Sequence, residues 1–395
     1  MIVNERMEAL GNVRSAIRDL FEYGLNRAKE IGKENVFDYS LGNPSVPAPE
    51  CVKETILDLV NNSDPVALHG YTSAPGAENV RQAVADDINR RFSAGVTKQD
   101  IYMTCGAAAS LTVTLNALAC PGDEIIAIAP FFPEYRVFIE SAGAKCVVCE
   151  ADREAFQINF EALEKILSAN TKAIIVNTPN NPSGAVFTRE TITRLCDLLR
   201  AKEAEYGHQI FLISDEPYRE LVYDDIEVPY LINEYTDTIV CYSFSKSLSL
   251  AGERIGYVVV SNRMENHGQV FAAAAGAGRA LGFVCAPTMM QYVIAANLGK
   301  TSDIDVYRMN RDLLYNALKE YGYETVKPDG AFYLFVKSPE PDAKAFAERA
   351  KKHELLIVPS DSFGVDGYIR LSYCVSTDMI RRSLPAFKAL IEEYK

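Results

Sequence analysis

Nowhere does the chain hold the roughly 18 consecutive apolar residues that a membrane-spanning helix requires. Its opening stretch, "MIVNERMEALGNVRSAIRDLF", carries charges throughout and lacks the uninterrupted apolar core of a signal peptide. Both absences predict a cytoplasmic protein. Positive charge is also in deficit: 40 Lys+Arg stand against 53 Asp+Glu, for a formal net charge of −13. Such a surface repels polyphosphates and anionic lipid, which argues against nucleic acid or a membrane as partner, although a few convergent arginines would still serve an anionic small molecule. Histidine is scarce. The four residues His69, His208, His267 and His353 show no ligand spacing, so no metal site is expected.

The nine cysteines follow no repeating frame, which reads as reduced, mostly buried thiols. Cys146 and Cys149 lie at redox-motif spacing, but "AKCVVCE" has the β-branched centre of a strand, whereas a redox pair normally opens a helix. No internal repeat occurs, and the one biased tract is the Ala/Gly run at 272 to 280. Its "GAGRALG" (276 to 282) misses the GxGxxG spacing and follows "FAAAA", a helical pattern, which argues against a dinucleotide-binding oxidoreductase.

With 395 residues and 48% hydrophobic content, the chain can fill two or three cores at about 100–200 residues per domain. From residue 100 to 260, apolar β-rich runs alternate with helical patterns. The strand candidates are 100–104, 124–130, 145–150, 172–178, 209–216, 238–245 and 254–261. Runs apolar on both faces and joined by helices predict an α/β fold: a large domain with a mostly parallel seven-stranded sheet sandwiched by helices. After about residue 290 the pattern becomes helix, turn and strand, a smaller α+β domain. The expected division is an N-terminal arm and part of the small domain at 1–48, a large domain at 49–289 and a small C-terminal domain at 290–395.

Ligands of open parallel sheets bind beyond the carboxyl ends of the strands. There "KAIIVNT" runs into "PNNPSG", "QIFLIS" into "DEPY" and "TIVCY" into "SFSK", so that Asn181, Asp215, Tyr218, Ser243, Ser245 and Lys246 gather at one edge. A lysine of depressed pKa forms an imine with an aldehyde. A carboxylate beside a pyridine nitrogen keeps it protonated and makes the ring an electron sink. Asn and Tyr suit a phenolate oxygen; serines and Arg254 suit a phosphate. Earlier, "DIYMT" ends in "CGAAAS", where Gly106, Ala107 and Ala108 join a strand to a helix N-terminus, a setting that favours an anion. One phosphorylated pyridine aldehyde accounts for all of these residue types.

Taken singly, each residue has a plainer reading. Asn181 before Pro182 suits an ordinary turn, Asp215 a helix cap, Tyr218 and Phe132 a core, and Tyr71 a surface beside a turn. Arg254 and Arg370 suit structural ion pairs, and Lys246 a solvated surface. Their order and spacing together set them apart.

"NTPNNPSG", "SDEPY", "SFSKSLSLAGERIGY" and "GYIRLSY" resemble the signatures of class I/II pyridoxal-phosphate-dependent aminotransferases of fold type I, the aspartate aminotransferase superfamily, in the same order from "LGNPS" at 41 to 45 onward. The resemblance implies pyridoxal 5'-phosphate as cofactor and an amino acid and a 2-oxo acid, plausibly 2-oxoglutarate, as substrates. It makes Lys246 the imine-forming, proton-carrying lysine. Asp215 then pairs with the pyridine nitrogen, and Asn181 and Tyr218 with the phenolate oxygen. Ser243, Ser245 and Arg254 hold the phosphate with the turn at Gly106, Ala107 and Ala108, and Phe132 stacks on the ring. Tyr71 reaches the phosphate across a homodimer interface, and Arg370 binds the substrate α-carboxylate with the backbone of Gly42 nearby. The site then lies between domains and subunits. The sequence departs from the family's pattern at Ala108, where many members carry Ser, Thr or Lys, and at Phe132 in place of Trp or Tyr. Arg279 sits about two positions from the register of the arginine that dicarboxylate-specific members use.

Two alternatives share the cofactor fold. A C–S β-lyase or decarboxylase would keep the same cofactor residues. The sensor domain of a transcription regulator would call for a basic winged-helix segment before the domain, and the 40 or so residues ahead of "LGNPS" do not have that character.

Overall fold

A computed structural model describes residues 2–12 and 16–395; residue 1 and residues 13–15 of the expected N-terminal arm lie outside the described residues. The described chain falls into two units. One comprises Val46–Ile304 with Asp329–Ala331, and the other the chain up to Ser45 together with Asp305–Pro328 and Phe332–Lys395.

The larger unit is built on seven strands, β1 (Ile101–Thr104), β2 (Glu124–Ile128), β3 (Lys145–Cys149), β4 (Thr171–Asn177), β5 (Phe211–Asp215), β6 (Thr238–Ser243) and β7 (Gly256–Val260), in the order β1-β7-β6-β5-β4-β2-β3. Pairing is parallel except where β7 inserts antiparallel between β1 and β6. β5, β6 and β7 are buried along their whole lengths, as expected of β-branched runs covered on both sides.

Period-two alternation divides the sheet residues between two faces. Ile126, Ile174, Leu212, Val240, Val259 and Ile101 lie on one face, packed with buried residues of the helices Glu78–Phe92, Phe160–Ile166, Arg189–Tyr206 and Thr288–Ala296. Asn177, Asp215, Cys241 and Ser243 lie on the other. Helix Ala107–Leu118 covers that second face, where its Thr114 hydroxyl lies 3.4 Å from the sulfur of Cys241. Cys146 and Cys149 do sit in a strand, β3. "GAGRA" continues the helix His267–Ala280.

The boundary near residue 290 falls later than the sequence suggests. Met290, Val293 and Ile294 are buried with Val80, Ile101 and Val259, so the helix Thr288–Ala296 belongs to the large unit.

The smaller unit carries a three-stranded antiparallel sheet in which β8 (Tyr333–Lys337) and β9 (Val358–Pro359) flank β10 (Tyr368–Ser372). Phe37 and Asp38 pair in parallel with Leu355 and Leu356, fixing the N-terminal segment to this unit. Its last helix, Thr377–Glu392, starts where the Ser376 side chain accepts a hydrogen bond from the N–H of Met379 at 3.2 Å, an N-cap worth about 1 kcal/mol. Among the described residues, no helix is long and apolar enough to cross a membrane and no cluster of His, Cys, Asp and Glu could hold a metal ion.

Candidate active site

Asp215 closes β5 and is 4% exposed. Tyr135 donates its hydroxyl to Oδ2, and Asn177, abreast on β4, sends its Nδ2 to the Asp215 carbonyl at 2.9 Å. Oδ1 is buried and meets no hydrogen-bond partner among the described residues. Burial pushes the carboxyl up to about 7; the Tyr135 hydrogen bond works against that rise and the charge of Glu216 adds to it. Burial, with the adjacent Asp215, holds the Tyr135 phenol well above its ordinary value, so it stays a donor. A buried carboxylate oxygen without a donor costs stability in isolation. A protonated ring nitrogen is the kind of donor that satisfies it, and the site therefore fits a pyridine cofactor.

The other predicted ring contacts gather around the same pair. Phe132, half-buried, sets its ring edge-on to Tyr135 at 5.8 Å. The Asn181 backbone N–H donates to Asn177 Oδ1 at 2.7 Å, which ties the "PNNPSG" turn to the end of β4. Tyr218 is buried, its carbonyl accepting from Leu221 N–H at 2.8 Å. Sequence reasoning missed Tyr135 and Asn177. Asn177 had a signal, since it ends a strand beside the quoted motif; Tyr135 stands 80 positions from Asp215 and had none.

A second cluster forms where Thr104, Gly256 and Ser243 stand abreast on β1, β7 and β6. Gly106 opens the helix Ala107–Leu118 at φ 88° and ψ 176°, a conformation close to glycine-only, and as N-cap it has no side chain to offer the N–H groups of the first turn. Half-buried Ala107 and Ala108 follow. A Cβ at Gly106 would lie 3.2 Å from a terminal nitrogen of Arg254, so glycine is what lets the guanidinium come against this turn. Arg254 is anchored by its own Nη1 to the Ala251 carbonyl at 3.0 Å and has φ 52°, which costs a residue with a Cβ roughly 1–2 kcal/mol. The Ser243 and Ser245 hydroxyls are 2.7 Å apart, and Ser243 caps the turn Phe244–Ser247 through Ser245 N–H at 3.1 Å. Helix N-terminus, hydroxyls and guanidinium are groups whose chemistry suits an anion. Lys246, partly buried, is the next residue along that turn. Tyr71 and Arg279 instead present exposed side chains, Tyr71 at 90%.

In the smaller unit Arg370 is 2% exposed on β10 and donates from Nη2 to the Ser40 carbonyl at 2.6 Å. Gly42 is half-buried; a Cβ there would run into the hydroxyl of Tyr333.

A mostly parallel seven-stranded sheet with flanking helices is the fold of fold type I transferases. The sequence profile described as "Aminotransferase class I and II" matches residues 34–387, and the chain belongs to that family. It is 30% identical to a probable aspartate aminotransferase of Methanocaldococcus jannaschii, over 96% of this chain and 97% of the relative. It is 27% identical to aromatic-amino-acid aminotransferase 2 of Thermococcus litoralis over the full length of both. Among solved structures, an amino transferase from Eubacterium rectale superposes with a TM-score of 0.98 at 54% identity over all of both chains. The aspartate aminotransferase of Thermus thermophilus with maleate gives 0.86 at 25% identity, over 99% of this chain and 100% of that one. The protein is a transaminase of fold type I.

Proposed function

We propose that the chain moves an amino group from an L-amino acid, aspartate-like or of broader range, to a 2-oxo acid, with 2-oxoglutarate the first acceptor to test, using pyridoxal 5'-phosphate linked through Lys246. The observation that carries this reading is Oδ1 of Asp215, buried and without a hydrogen-bond partner among the described residues, a position suited to a pyridinium N–H. When bound, the cofactor supplies an electron sink for the pair released at the substrate Cα. Lys246 Nζ carries the proton between that carbon and the cofactor. Asp215 holds the proton of the ring nitrogen, Asn181 and Tyr218 bond the phenolate oxygen, and Phe132 covers the ring. Arg254, Ser243, Ser245 and the turn Gly106–Ala108 hold the phosphate. Arg370, with the backbone of Gly42, receives the α-carboxylate.

The working form is a homodimer in which Tyr71 of one copy reaches the phosphate of the other; its 90% exposure supports that assignment. The relatives' names span aspartate and aromatic donors, which supports donor range as the first question to test. A panel of L-amino acids added singly to the cofactor-loaded protein, followed by absorbance, is expected to convert the cofactor to its amine form with at least one donor and to revert on adding 2-oxoglutarate. No conversion with any donor contradicts the reading. Pyruvate and ammonia from a cysteine thioether, with no 2-oxo acid added, would assign a lyase instead.

A further inference from the structure

Arg370 is held in place by more than its hydrogen bond to Ser40. Its guanidinium carbon lies 4.6 Å from the ring centroid of Tyr333 and 5.1 Å from that of Phe363. Tyr333 opens β8 opposite Ser372, and Phe363 closes the short helical turn Ser360–Phe363 that follows β9, so two separate segments bring aromatic rings to one cation. Tyr333 and Phe363 are themselves almost fully buried, at 2% and 0% exposure. The Tyr333 hydroxyl occupies the space a side chain at residue 42 would need, so Gly42 is what admits the phenol.

We infer that Tyr333 and Phe363 are positioning residues that clamp Arg370 between their rings and set its affinity for a carboxylate. The inference rests on the assignment of Arg370 to the substrate carboxylate. A guanidinium buried in low dielectric is costly unless its charge is met. Ring faces meet it through cation–π attraction above the guanidinium plane, whereas the hydrogen bond to Ser40 and the bidentate bonding of a carboxylate both use N–H groups in that plane. They also restrict the rotamers of a long side chain, so less entropy is lost when the carboxylate binds. The ring face, and not the Tyr333 hydroxyl, is the part this role uses.

The test compares Tyr333→Leu, Tyr333→Phe and Phe363→Leu with the wild type, all loaded with cofactor. The dissociation constant for 2-oxoglutarate is read by calorimetry on the aminated form, and KM and kcat with the best amino donor are measured in parallel. Loss of one ring face is expected to weaken 2-oxoglutarate binding by about tenfold and to raise KM by a similar factor, with kcat within about threefold. Tyr333→Phe should behave as wild type, and all variants should keep the wild-type cofactor absorbance. Equal weakening by Phe and Leu at position 333, or unaltered binding in both Leu variants, overturns the clamp. Phe363→Leu answers the question alone should Tyr333→Leu fail to fold. A wild type that binds no carboxylate overturns the functional reading itself, a result distinct from a binding wild type with unaffected variants.

Discussion

Tyr135 donates its hydroxyl to Oδ2 of Asp215 while Oδ1 of the same carboxylate is buried without a hydrogen-bond partner among the described residues. The two oxygens thus differ in their surroundings: Oδ2 accepts from Tyr135, and Oδ1 is the one a pyridinium N–H would meet under the proposed function. The phenol hydrogen bond works against the rise that burial imposes on this carboxyl.

Tyr135→Phe removes the hydroxyl hydrogen bond that counters the rise, so the Asp215 midpoint is expected to move up from about 7. A charge-assisted hydrogen bond of this kind is worth roughly one to two pH units. Pyridoxamine 5'-phosphate, which cannot link to Lys246, isolates the ring–carboxylate contact. Its affinity is expected to fall in the variant at pH 7 and to recover as the pH is raised, with a midpoint displaced to higher pH than in wild type. Superimposable pH profiles would show that Tyr135 does not tune Asp215.

Asp215→Asn should separate function from stability. A carboxyl whose folded value lies above its unfolded value burdens the folded state with a buried charge. That penalty is complete above about pH 7 and fades as the pH falls toward the ordinary carboxylate range. The cofactor-free Asn variant is therefore expected to be more stable than wild type at pH 8, by at most about 4 kcal/mol, and no more stable near pH 4. It should also bind cofactor far more weakly. Urea midpoints of both proteins at the two pH values check the sign; a less stable variant at pH 8 contradicts it.

Gly106→Ala meets two obstacles at once. Its φ of 88° with ψ of 176° is disfavoured for any residue with a side chain, at about 1–3 kcal/mol. The added methyl also lies 3.2–3.4 Å from the Arg254 guanidinium. A lower melting temperature and a smaller preference for pyridoxal 5'-phosphate over pyridoxal are expected together. Arg254→Gln should reduce the same preference, by about 10- to 100-fold, with little change in melting temperature. An unaltered preference in both variants would remove these residues from phosphate binding.

The strands around the site were legible because each is a short apolar run ending in residues that a core strand would not choose: Asn177, Asp215 and Ser243. Period-two alternation and the register of β4, β5 and β6 then place those three on one face of the sheet. What could not be seen depends on pairings that no local spacing encodes. Tyr135 meets Asp215 only after β2 and β5 have joined the same sheet on either side of β4. The rings of Tyr333 and Phe363 meet Arg370 through the folding of three separate segments. The sequence leaves residues 290 to 304 ambiguous because "TMMQYVIAA" is an apolar helix that either core could bury, and only packing of Met290, Val293 and Ile294 decides which.

The proposed reaction turns on the chemistry of one amine. The protein, incubated with pyridoxal 5'-phosphate and reduced with borohydride, is digested and mapped by mass spectrometry. The expected result is a single phosphopyridoxyl group on Lys246, absent from Lys246→Ala, whose turnover falls by at least about 10²-fold. A modification spread over surface lysines, or none at all, with Lys246 recovered unlabelled, would contradict the account.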